Sequence, residues 1–185
     1  MGILSTIRNY YRFKKSKVRN SKITLIGSIP KLGKYNEISV ASSATMKLGC
    51  IRTEKNVLLA SAGNGHMLIE NCFFNQNCVV VCRNDIHIEN GCLFGPNVMV
   101  YDHNHKFSYE GVSSSEFSIG HVHIGKNCWI GGGVTILKNT DIGDGCIIGA
   151  GAVVSGSIPS HSLVTCGGNR ELIVKEIEVR PNKCL

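Results

Sequence analysis

From residue 124 the chain divides into hexads without a break: IGKNCW, IGGGVT, ILKNTD, IGDGCI, IGAGAV and VSGSIP. Ile124, Ile130, Ile136, Ile142, Ile148 and Val154 hold the first position of each. Cys128, Val134, Thr140, Cys146, Ala152 and Ile158 hold the fifth, which takes small or medium side chains. An α-helix would repeat its apolar face every 3.6 residues and a strand every two, and neither gives six. A large aliphatic followed by a turn-permissive residue describes a triangular solenoid. Each hexad makes one short strand and three hexads make one coil. A single coil cannot bury its own core, so coils must stack. The expected fold is all-β, a parallel β-helix of hexapeptide repeats.

The same phase appears upstream. Leu68, Phe74 and Val80 are spaced by six, with Cys72 and Cys78 at the fifth position. After a slip of two residues, Ile88, Phe94 and Val100 continue with Cys92 and Val98. Before residue 68 the apolar positions Ile38, Val40, Leu48, Ile51 and Val57 keep no period of six, and irregular coils are expected there. Between Tyr101 and His121 the repeat stops. The intervening stretch, DHNHKFSYEGVSSSEFSIG, is polar and must protrude as a loop near 102–121, and such excursions are disproportionately functional. After Pro159 the repeat decays. This reading divides the chain into a basic helical or capping segment (1–36), a β-helix (37–169) and a C-terminal extension (170–185).

Charge bears on function only once it is divided along the chain. The net charge is +7, yet residues 1–36 hold nine Lys/Arg and no acid, while residues 37–185 hold eleven Lys/Arg against thirteen Asp/Glu. A body near neutrality offers no surface for duplex nucleic acid. In residues 1–20, Ile3, Ile7 and Tyr10/Tyr11 fall on one helical face and Arg8, Arg12, Lys15 and Arg19 on the other. Such a helix suits capping the open end of the solenoid or resting on an anionic membrane. No apolar run is long enough to span a bilayer and no apolar leader precedes the repeat, so a cytoplasmic location is expected, at or near the inner face of the membrane. The nine cysteines include no C-x-x-C pair, and those at the fifth hexad position read as core filler.

The stretch FFNQNCVVVCRNDIHIENGCLFGPNVMVYDHNHKF, followed by VHIGKNCWIGGGVTI and IGDGCIIGAGAVV, resembles the hexapeptide acyltransferases of the maltose, galactoside and polysaccharide O-acetyltransferase type, over roughly residues 68–175. The resemblance implies a left-handed β-helix and a homotrimer with active sites between neighbouring prisms. Acetyl-CoA is then the co-substrate, with no metal, and a sugar or glycan hydroxyl the acceptor, in capsule, O-antigen or related polysaccharide biosynthesis. By the same resemblance the catalytic base is His105, the last residue of YDHNH, with His103 as the alternative. Asp102 or a backbone carbonyl would orient the ring, and Asp102 is also placed on the acceptor side. Gly132 and Ala150 match positions whose backbone holds the cofactor, and Arg170 matches a basic residue near the CoA phosphates. Trp129 matches an aromatic beside acceptor or cofactor, and Asn77 a residue contacting the acceptor hydroxyl.

The chemistry is coherent with that assignment. Acetyl transfer from a thioester to an alcohol needs the hydroxyl proton removed as oxygen attacks, which an imidazole does well near neutral pH. Backbone N–H groups of the solenoid can stabilise the oxyanion. The sequence also departs from the pattern. CGGNREL lacks the usual proline, Gly156 stands where a basic residue is common, and Cys82 and Arg83 replace acidic acceptor-contacting residues. The last change implies a different acceptor, such as an acidic sugar or lipid-linked glycan. Other readings on the same helix are an N-acetyltransferase of an amino-sugar nucleotide, a serine or antibiotic acetyltransferase, a non-catalytic scaffold, and a γ-carbonic-anhydrase-like zinc enzyme using His103, His105, His121 and His123.

Overall fold

Ile7, Tyr11, Phe13 and residues 22–165 are described by the computed structural model. Most of the expected N-terminal helix, Arg170 and the C-terminal extension therefore lie outside the described residues. Within them the chain winds as a three-faced prism. Every strand pairing is parallel except one hairpin. The first face stacks Glu37–Val40, Leu58–Ser61, Val79–Cys82, Met99–Tyr101 and the starts of Thr135–Ile142 and Val153–Ile158. The second stacks Ile23–Leu25, Thr45–Leu48, His66–Ile69, Asp85–Ile88, His121–Ile124 and the ends of the two long strands. The third is a six-stranded sheet running from Arg52–Thr53 to Leu163–Val164.

Cross-coil register explains why the period of six is plain only late in the chain. In the column Ile38, Leu59, Val80, Val100, Ile136, Val154 each residue lies over the next. The intervals are 21, 21, 20, 36 and 18 residues, so only the last coil is three clean hexads. The early coils are not irregular, as the sequence suggested. They carry four-residue strands in full register, but their corners are of other lengths. From Leu59 the inward positions step by ten to Ile69, five to Phe74 and six to Val80. Leu68 is accordingly an outward residue. Met67 and Ile69 are the buried ones on that strand, because Ile69 lies over Ile88. The β-helix also begins earlier than residue 37. Ile23–Leu25 pairs with Thr45–Leu48, and Lys31 bridges Arg52. Both Ile23 and Phe13 pack on the core.

Inside, one aliphatic ladder fills the prism, with Phe74 and Phe94 stacked at 4.4 Å between ring centroids. The fifth-position cysteines do more than fill space. Cys72, Cys92, Cys128 and Cys146 lie one above another, and each thiol donates to a carbonyl of the next coil at 3.0–3.1 Å. Cys78 does the same toward Gly95. Burial pushes the Cys78 thiol above its ordinary pKa, and burial together with the charge of Asp102 raises Cys82 likewise. Thiolate is the reactive form. Among the seven described cysteines, native alkylation at pH 8 should therefore modify Cys50, which is partly exposed, and spare the six buried thiols until the protein is denatured. Mass spectrometry of the labelled protein measures this directly.

At the corner from the third face to the first, the chain needs left-handed backbone in each coil. Asn56, Asn77 and Asn97 supply it at φ near 60°, and Gly133 and Gly151 supply it below. The three asparagines hydrogen-bond one to the next, Asn56 to Asn77 and Asn77 to Asn97. Gly131 is required by close approach, since a Cβ there would lie 2.6 Å from the Ala150 nitrogen.

Candidate active site

The interruption of the repeat is an antiparallel hairpin, more ordered than the loop expected from its composition. His103–Ser108 pairs with Gly111–Ile119 around Tyr109 and Glu110. It leaves the prism at the corner between the first and second faces. Its base is closed by the Gly120 N–H donating to the Asp102 carbonyl at 2.7 Å.

Asp102 anchors this departure. The side chain is fully buried and accepts the backbone N–H groups of Arg83, Asn84 and Asp85 at 2.7–3.0 Å. It thus satisfies the amides of the corner in the coil above, where an ordinary corner would have used its own backbone. His103 Nδ1 adds a fourth partner at 2.9 Å. Burial alone would raise its pKa, but the hydrogen bonds from His103, from the Asn84 and Arg83 amides and from the Cys82 thiol outweigh that, and the carboxyl titrates below its usual range. A depressed carboxylate pKa contributes stability above the unfolded value of about 3.9, lost as pH falls through the folded one. Asp102→Ala should cost about 3 kcal/mol in denaturant unfolding, because three buried amides lose their acceptor. Asp102→Asn should flatten the acid limb of the stability–pH curve.

His105 sits two residues on, on the same hairpin face, and is exposed. Its Nδ1 lies 2.9 Å from the Ser113 carbonyl. A carbonyl only accepts, so Nδ1 carries the hydrogen and Nε2 presents a lone pair to solvent. His103 is pinned similarly by Asp102, but its side chain is only 12% exposed. The two rings flank Phe117, at centroid distances of 4.5 Å for His105 and 5.5 Å for His103. The Arg83 guanidinium carbon lies 3.5 Å from the centre of the same ring. Phe117 and Ser113 were not singled out in the sequence. The signal that could have found them is the two-residue alternation of His103, His105 and Phe107 against Phe117 and Ile119 across an E-G turn.

The other expected site residues lie on a different edge. Gly132 and Ala150 are stacked at the corner from the third face to the first, linked by the Gly151 N–H donating to the Gly132 carbonyl at 2.9 Å. The N–H groups of Gly132 and Ala150 find no acceptor among the described residues, and Ala150 is exposed. Trp129 starts the third-face strand just before this corner and is 55% exposed, between Leu93 and Ile147. Asn77 occupies the same corner two coils away, where its amide serves the asparagine ladder. Within one chain the structure brings together Arg83, Asp102, His103 and His105 on one edge, and Asn77, Trp129, Gly132 and Ala150 on or beside another.

Of the remaining histidines, His66, His87, His121 and His123 lie on the outer surface of the second face, and His161 sits at the corner after it. His121 Nε2 meets Asp141 and His123 Nε2 meets Glu89, each at 2.9 Å, and the His87 ring lies tilted beside that of His123, 5.3 Å between centres. These are separate pairs. Among the described residues no three His, Cys, Asp or Glu side chains are grouped to share an ion.

Comparisons with known proteins bear on this geometry. Residues 121–156 match the family described as bacterial transferase hexapeptide (six repeats). A Schizosaccharomyces pombe protein provisionally named an acetyltransferase is 36% identical over 107 residues, covering 57% of this chain and 50% of its own. A similarly named Staphylococcus aureus protein is 36% identical over 109 residues, covering 59% and 54%. The chain thus spans about half the length of the curated relatives it matches. A solved structure of an N-acyltransferase from Bacillus cereus, in complex with dTDP-4-amino-4,6-dideoxyglucose and coenzyme A, shares the fold at a TM-score of 0.55 and 15% identity, over 86% of this chain and 84% of that one. Stacked coils, hexad spacing and sequence relatives agree in likening the chain, over these regions, to the hexapeptide-repeat transferases.

Proposed function

We propose that this chain is an acetyl-CoA-dependent O-acetyltransferase acting on a sugar hydroxyl of a bacterial polysaccharide precursor. The observation that carries the reading is the His105 imidazole, held at Nδ1 by the Ser113 carbonyl and free at Nε2 on an exposed hairpin. Nε2 takes the proton of the acceptor hydroxyl as its oxygen attacks the thioester carbonyl carbon. The tetrahedral intermediate then collapses, the C–S bond breaks, and the imidazolium returns the proton to the departing thiolate, giving the acetyl ester and CoA. No enzyme nucleophile is needed when both substrates are held together.

The unpaired N–H groups of Gly132 and Ala150 suit the carbonyls of a CoA pantetheine arm, which supplies the activated acetyl group when bound. Trp129 would wall that channel. His103 and Asp102 act as positioning residues, fixing the hairpin from which His105 projects.

The same reading calls for a second and third copy of the chain. The His105 edge and the Gly132–Ala150 edge are separated by the first face of the prism, so a complete site needs the base of one copy beside the cofactor corner of another. Exposed apolar side chains flank that corner, Leu93, Trp129, Ile147 and Leu163 on the third face and Met99 and Val153 on the first. Exposed apolar side chains of this kind suit an interface between copies. Residues 1–20, rich in lysine and arginine, would hold the enzyme on the cytoplasmic side of an anionic membrane, near lipid-linked glycan.

Release of CoA from acetyl-CoA, followed against neutral, acidic and amino sugars, tests the activity. Acceptor-dependent release is expected from the wild type, and His105→Ala should lower it at least ~100-fold while CoA still binds. Undiminished turnover in His105→Ala would refute the base assignment. Preference for amino sugars over hydroxyl acceptors would instead make the chain an N-acetyltransferase. Sedimentation should give three times the chain mass, and a monomer that retains full activity would refute the shared site.

A further inference from the structure

We infer that Arg83 reads an anionic group on the acceptor, a carboxylate or a phosphate, so that the substrate is an acidic sugar. The inference rests on the acetyltransferase reading of His105 and adds the chemical class of its substrate. Three observations carry it.

The first is that Arg83 has a fixed place. Its backbone N–H is held by both oxygens of the buried Asp102, and its side chain lies over Phe117 with Cζ 3.5 Å from the ring centre. Stacking on an aromatic face orients a guanidinium but uses none of its five N–H donors, which project from the edge of the plane. The second is that these donors are unspent. None of the ion pairs among the described residues involves Arg83, and Asp102 is consumed by backbone amides and His103. The nearby Glu116 is turned toward Lys106. A half-buried guanidinium with no carboxylate of its own is a ready site for a bidentate anion.

The third observation is proximity to the base. Phe117 touches both groups, with the His105 ring centre 4.5 Å from its own, so the guanidinium carbon lies no more than about 8 Å from the imidazole. One pyranose ring with an exocyclic acidic group spans that separation. The hydroxyl that His105 deprotonates and the anion that Arg83 holds can therefore belong to the same sugar residue. Lysine at position 83 would keep the charge but lose both the stacking and the fork.

Binding of three probes, methyl glucuronoside, glucose 1-phosphate and methyl glucoside, to the full chain can be followed by ligand-observed NMR and titrated to a Kd. At least one anionic sugar should bind about 10-fold or more tightly than the neutral glucoside. Glucuronoside preference identifies a carboxylate acceptor, and glucose 1-phosphate preference a phosphorylated one. Arg83→Gln should abolish the preference, Arg83→Lys should recover only part of it, and His105→Ala should retain it, since that variant loses proton transfer and not the anion site. Equal binding of all three probes, absence of binding by either anionic probe, or a preference unchanged in Arg83→Gln would overturn the proposal. So would an Arg83→Gln variant whose only defect is weaker CoA binding, because the arginine would then serve the cofactor. Anion preference without acetyl transfer to any acceptor would instead strike the acetyltransferase reading while leaving the anion site in place.

Discussion

Register between coils is the constraint that the rest of this structure obeys. A coil cannot bury its aliphatic residues alone, and its backbone hydrogen bonds run to the coils above and below. Each inward residue must therefore lie over its counterpart, whatever the corners between them do. The chain tolerates corners of different length, so its coils take 21, 20 or 18 residues while the column from Ile38 to Val154 stays aligned. Cysteine thiols reaching to carbonyls of the next coil and the asparagine ladder at one edge reinforce the same alignment.

Among the described residues the hairpin is the one place where the chain leaves this scheme, and it leaves and returns without disturbing register. Val100 to Ile124 is 24 residues, a multiple of the hexad, and the coils on either side pair as if nothing intervened. Asp102 makes the exit affordable by accepting three corner amides that would otherwise be orphaned. Two consequences for chemistry follow from that one carboxylate. It pins His103, which stands beside Phe117, and it fixes the backbone of Arg83, whose guanidinium covers the same ring. Two imidazoles, an aromatic ring and a cation are thus assembled at the spot where the repeat is broken.

What was legible in the sequence follows the same physics. Ile124 through Val154 announced the solenoid because the last coils have corners that keep a strict six. Residues 38–67 hid it because ten- and five-residue steps erase the period without erasing the coil, and Leu68 was misread as inward for that reason. The histidines of YDHNH could be picked out because they stand alone in a polar break. Ser113 and Phe117 could not, since their roles depend on hairpin pairing that brings residues eight to thirty-four positions apart into contact. The fifth-position cysteines were legible as buried, while their hydrogen bonds needed the stacking to be known.

With the proposed base on one edge of the prism and the proposed cofactor corner on another, acetyl transfer needs copies to be joined. Mixed assemblies test this most directly. His105→Ala lacks the base but keeps the corner, and a bulky Ala150→Trp blocks the corner but keeps the base. Each alone should be inactive, and co-assembly of equal amounts should restore activity at about a quarter of the sites, those pairing an intact base with an intact corner from a neighbour. Recovery of that order is the predicted result. Mixtures that co-assemble, shown by mass, yet remain as inactive as either variant would contradict a site shared between copies.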